Sequence, residues 1–103
     1  MSNKWSTHSF PHLIVSQREV LGMTQGELAA RVGVNEGFMS RIENGKKLPT
    51  EELASAIEIV LNLPKGLLVK RVETIKKVIQ TNSEIAEEMG IQGIELRRVI
   101  YKY

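Results

Sequence analysis

The sequence contains no cysteine. Neither a disulfide framework nor a cysteine-ligated metal site can form, which fits the reducing environment of a cytoplasm. No apolar run reaches the ~20 residues that span a bilayer, and the first residues lack the pattern of a secretion signal. No membrane role is expected. Low-complexity segments are absent as well. Gly22 and Gly26 do not make a phosphate loop, because no Gly-Lys-Ser/Thr motif occurs. His8 and His12 stand four apart, but no cysteine or well-placed carboxylate completes a metal set, so a surface or arm role is the plainer reading. Nothing supports catalysis, a cofactor or a small-molecule ligand domain.

Excess charge of one sign is also lacking. The 103 residues carry a net charge of +2, with 25% charged and 42% hydrophobic residues. These proportions suit one compact domain or two very small ones. The distribution is less even. Residues 1–63 hold six Lys/Arg against seven acidic residues, whereas residues 64–103 hold eight against five. The second half therefore either adds attraction for phosphates or carries a solvated lysine-rich helix face.

What is present is helical patterning, with no convincing strand. Residues 1–11 read as an arm, rich in small polar residues and punctuated by Pro11. Trp5 and Phe10 suit packing back onto the domain or a second subunit, and Lys4 a DNA contact. A first helix is predicted from about His12 to Leu21, ended by Gly22. Thr24 then N-caps a second helix, with Glu27 completing a capping box. Leu28, Ala29 and Val32 form its apolar side. Gly33 breaks it and Val34 returns to the core. Asn35 caps a third helix, with Met39 and Ile42 inward. Glu36, Gly37, Ser40, Arg41 and Asn44 fall on its outer side. Such a pair of helices is a helix-turn-helix, whose second member lies in the DNA major groove. Thr50 caps a fourth, amphipathic helix with Glu51 and Glu52 in its first turn and Leu53, Ala54, Ile57, Val60 and Leu61 on one face. After a break at Asn62–Gly66, a fifth helix is predicted to about Ile79, with Leu67, Leu68, Val72, Ile75 and Ile79 as its apolar side.

The segment from Thr81 to Ile100 repeats the motif at an offset of 57 residues. Thr81 and Glu84 match the capping box. Ile85, Ala86, Met89, Gly90, Ile91, Leu96 and Val99 match the inward positions, and Gln92, Gly93, Ile94, Arg97, Arg98 and Tyr101 the outward ones. The segment reads either as a second DNA-contacting unit, through Gln92, Arg97 and Arg98, or as a hairpin for packing or dimerisation through Ile94, Leu96 and Tyr101.

The stretch from Leu13 to Leu63 resembles the phage-repressor (Cro-like) helix-turn-helix family. The likeness is carried by Arg18, Leu21-Gly22-Met23-Thr24-Gln25, Glu27-Leu28-Ala29, Gly33-Val34, Ser40 to Lys46 and Pro49. It implies an all-α, lambda-repressor-like helical bundle over residues 12–63. The residue pattern adds a C-terminal helical unit at 64–103 with a second helix-turn-helix-like motif, making about seven helices in all. The implied function is sequence-specific binding of double-stranded DNA by a transcriptional repressor of a prokaryotic, phage or plasmid promoter, acting as a homodimer. The implied roles are specific. Gln25 would hold a phosphate. Asn35, Glu36, Gly37 and Arg41 would meet base edges, and Asn44, Lys46 and Lys47 the backbone. Two of these depart from the usual pattern: Gly37 leaves one reading position empty, and Glu36 places an acid near phosphates. Arg18 and Glu43 would form a structural ion pair. The competing function is an antitoxin-like module whose C-terminal half binds a partner protein.

Overall fold

A computed structural model describes residues 9–89 and residue 100. It holds five helices: α1 (Phe10–Val20), α2 (Gln25–Val32), α3 (Glu36–Glu43), α4 (Glu51–Val60) and α5 (Leu67–Met89). No strand occurs among these residues, and the fold is all-α.

α1 begins at Phe10, ahead of the expected His12. Pro11 sits in its first turn, where the missing N–H costs nothing and the fixed φ suits a helix. Proline here opens a helix instead of closing an arm. Phe10, Leu13 and Ile14 are then fully buried on one face. α2, α3 and α4 start as predicted. The Thr24 hydroxyl accepts from the Glu27 N–H at 3.1 Å while Glu27 returns to the Thr24 N–H at 3.3 Å. Asn35 Oδ1 accepts from the Phe38 N–H at 2.7 Å, and the Thr50 hydroxyl from the Leu53 N–H at 3.1 Å.

The first four helices end alike. The amides of Met23, Val34, Lys46 and Leu63 reach back to the carbonyls of Arg18, Ala29, Arg41 and Glu58 at 2.8–3.0 Å. Each turn needs a left-handed residue just before the returning amide. Gly22, Gly33 and Gly45 supply it, and at the end of α4 Asn62 does so with φ of 55°.

α2 packs on α3 and α4, α1 on α3, and α4 on α5. One core unites Phe10, Leu13, Ile14, Leu28, Met39, Ile42, Ile57, Leu61, Leu68, Val72, Ile75 and Ile100, all fully buried. Gln17 on α1 adds a polar tie, its Nε2 donating to the Leu61 carbonyl at 2.9 Å.

The start of α5 has an external cap. Glu58, on α4, is only 2% exposed. Its carboxylate accepts from the N–H groups of Gly66 (2.8 Å), Leu68 (2.6 Å) and Val69 (2.9 Å). The helix terminus supplies unpaired N–H groups and a favourable dipole, which compensate for burying the charge. The sequence offers Glu58 only as a polar residue in an amphipathic helix.

One expectation fails. α5 runs without interruption through Thr81 to Met89, so Thr81 lies inside a helix and does not begin one. No glycine or proline separates it from Ile79, and the helix simply propagates. Gln92, Gly93, Ile94, Leu96, Arg97, Arg98 and Tyr101 lie outside the described residues, as do the arm residues Lys4, Trp5 and His8. Five helices, against about seven expected, are present among the described residues.

Candidate nucleic-acid interface

α3 is short, and its two sides differ sharply. Met39 and Ile42 are fully buried and Glu43 is 7% exposed. Glu36, Gly37 and Arg41 are exposed on the other side, and Ser40 is half-buried. Asn35, at the N-cap, and Asn44, at the C-cap, are also exposed. Asn44 Nδ2 donates to the Ser40 carbonyl at 2.9 Å and to its hydroxyl at 3.3 Å. The helix thus presents a contiguous outer strip of the polar residues picked out by the sequence pattern.

Beyond α3 the chain turns back at Gly45, which is buried with φ of 69°. The backbone N–H groups of Lys46 and Lys47 both donate to the Arg41 carbonyl, at 2.8 and 3.2 Å. Both side chains remain exposed. They place two positive charges beside the C-terminal end of the strip.

A buried clamp fixes α3. Arg18, on α1, pairs with Glu43 through both nitrogens of its fork: Nε to Oε2 at 3.1 Å and Nη2 to Oε1 at 2.9 Å. Its third contact is Nη1 to the Met23 carbonyl at 3.0 Å. The Arg18 and Glu43 side chains are 14% and 4% exposed. Bidentate pairing fixes direction as well as distance, so α3 is oriented against both α1 and the turn that precedes α2. The expected ion pair is present.

Gln25 joins this clamp, which the sequence did not indicate. Its Nε2 donates to Glu43 Oε1 at 3.2 Å. An amide nitrogen carries two donor hydrogens, and this contact commits one of them. The first residue of α2 is thereby linked to the last residue of α3. No periodicity signals such a link, because the two positions lie on different helices and touch only through the crossing.

Two further contacts shape the strip. The Glu36 carboxylate lies against α2, with Oε2 3.3 Å from where a Cβ on Gly26 would stand. Gly26 therefore leaves room for the acid. The Arg41 guanidinium sits over the Phe38 ring, 5.9 Å from its centre. Phe38 was absent from the sequence-derived residues; its three-residue spacing from Arg41 was the available signal. Among the described residues no group of three or more His, Asp or Glu side chains is gathered to hold a metal, and no helix is long and apolar enough to cross a membrane.

Comparison with known proteins places this geometry. A helix-turn-helix family model matches residues 14–68, just over half of the chain. The ImmF control region 10 kDa protein of Bacillus phage phi105 is 36% identical over 56 residues, covering 54% of this chain and 62% of that protein. Vegetative-specific protein H7 of Dictyostelium discoideum is 34% identical over 55 residues, covering 53% of each. The chain thus spans between half and two thirds of the curated relatives it matches. No solved structure matches it. The matched segment contains α2, α3 and all but the first turn of α1, and the chain belongs to the Cro-type, lambda-repressor-like helix-turn-helix family of DNA-binding transcription regulators.

Proposed function

We propose that this chain binds specific sites in double-stranded DNA through α3 and represses transcription by occluding a promoter, as a homodimer. The observation that carries the reading is the exposed strip Glu36, Gly37 and Arg41, flanked by Lys46 and Lys47, on a helix clamped from behind by Arg18, Gln25 and Glu43. An arginine fork on such a strip can pair bidentately with guanine, and the lysines can neutralise phosphates. Asn35, Ser40 and Asn44 add polar groups at the ends of the strip. Gln25 would set its uncommitted N–H toward a phosphate at the start of α2. A homodimer is part of the reading because one recognition helix rarely supplies enough specificity. The name of the phage relative, a control region protein, supports a regulatory role. The positive balance of residues 64–103 supports a further phosphate contribution from Gln92, Arg97 and Arg98.

Binding-site selection followed by titration of labelled duplexes over a salt series tests the proposal. Arg41→Ala is expected to weaken the selected site by about 1–3 kcal/mol and to relax preference at one base pair. Lys46→Ala is expected to weaken all sequences alike and to flatten the salt slope by about 0.9 per lost phosphate contact. An Arg41→Ala protein with unchanged affinity and base preference would show that the outer strip of α3 does not read DNA.

A further inference from the structure

We propose that Phe38 is a specificity-determining residue that acts through Arg41, its ring serving as a shelf that sets where the guanidinium points. The inference rests on the reading of α3 as the DNA-reading helix. Residues three apart are neighbours on a helix surface, and the guanidinium lies 5.9 Å from the Phe38 ring centre, within the ~6 Å at which a ring attracts a cation.

The two partners differ in freedom. Phe38 is half-buried and packs against the hydrophobic core. Its N–H is held by Asn35 Oδ1 at 2.7 Å. Arg41 is exposed. A packed ring therefore lies beneath a long, exposed side chain. The ring is the support on the strip that the structure records for the guanidinium. Gly37 contributes no side chain, and a Cβ there would meet only Asn35 Oδ1, at 3.4 Å. The Glu36 carboxylate is placed against Gly26 in α2.

Bidentate pairing with guanine needs the plane of the guanidinium aligned with the base edge. Restraint before contact reduces what must be ordered on binding. Without the ring, Arg41 keeps its charge and reach but loses its preset direction. Discrimination at one base pair should then fall while attraction to DNA in general stays as it was.

Four proteins decide this: Phe38→Leu, Phe38→Tyr, Arg41→Ala, and Arg41→Ala with Phe38→Leu. Each is titrated against the selected site, the same site with the contacted guanine pair replaced, and a random duplex. Phe38→Leu should bind the selected site about 2- to 5-fold more weakly, as expected for an exposed cation–π contact, with random-duplex binding and salt slope unchanged. Phe38→Tyr should restore wild-type selectivity. In the Arg41→Ala background, Phe38→Leu should have no further effect. Equal losses for selected and random DNA, or an undiminished loss in the Arg41→Ala background, would reduce Phe38 to a packing residue and overturn the proposal. If Leu at this position fails to fold, by thermal melting, Phe38→Met carries the same comparison. Weakened binding by Arg41→Ala with none by Phe38→Leu overturns this proposal alone. An Arg41→Ala protein indistinguishable from wild type overturns it together with the reading of α3.

Discussion

Thr24 and Thr81 each precede a glutamate by three residues, with an apolar residue and an alanine just beyond. Thr24 begins α2 with both bonds of a capping box. Thr81 lies within α5. The difference is made upstream. Before Thr24, Gly22 turns left-handed and the Met23 amide folds back on Arg18, so the backbone has left the helix before the threonine is reached. Before Thr81 stand Val78, Ile79 and Gln80, none of which opposes a helix strongly. A capping residue stabilises an end that already exists; it does not make one. The starts of α2 and α5 differ in the same sense. α2 satisfies its own terminus locally, whereas α5 depends on Glu58 from the preceding helix.

The comparison can be broken at several strengths. The largest effect is expected where the first unit is clamped. Arg18→Ala strands the Glu43 carboxylate at 4% exposure, and removing one member of a buried pair costs about 3–5 kcal/mol. Replacing both Arg18 and Glu43 should cost less than the two single changes together. Chemical denaturation of the four proteins measures this, and additive losses would mean that the two side chains do not act as a pair.

Next comes the external cap. Glu58→Ala leaves three N–H groups at the start of α5 without their acceptor and should cost about 3 kcal/mol, in line with hydrogen bonds to a charged group. Amide hydrogen exchange should show the loss of protection at Leu68 and Val69 first. Protection unchanged at those two amides would show that other groups close the helix.

The smallest effects are the most discriminating, because their signs are opposed. Thr24→Ala removes a working cap and should destabilise by about 0.5–2 kcal/mol. Thr81→Ala replaces a poor helix former with the best one and should stabilise by a few tenths of a kcal/mol. Thermal melting of the pair suffices, and a loss of stability at both positions would place a helix start at Thr81.

The first unit was legible because its signals are local and redundant. Thr24, Asn35 and Thr50 each stand just before an apolar period, and Gly22 and Gly33 stand just after one. The buried positions Leu28, Ala29, Met39 and Ile42 follow from that spacing. Arg18 and Glu43 were legible only through family resemblance, since they are 25 residues apart. The end of α4 was legible from the break at Asn62–Gly66, although an asparagine takes the left-handed position that glycine takes elsewhere. The link from Gln25 to Glu43 and the cap by Glu58 escaped because they exist only after helices cross: a polar side chain shows no preference in sequence for the partner it will meet. Phe38 was not named from the sequence. It stands three residues from Arg41, but spacing alone does not say that the guanidinium lies over the ring.

The paired N–H groups of Lys46 and Lys47 on the Arg41 carbonyl carry one more consequence. The same residue is held at its main chain by the loop and at its side chain by Phe38. Under the proposed function, the interval between the residue meant for a base edge and the two meant for the sugar-phosphate rail is thus set by main-chain bonds, as in a gauge of fixed span. Under the proposed function, a duplex whose groove does not match that span has to deform to be gripped. Groove width and stiffness would then join base order in deciding which sites are occupied.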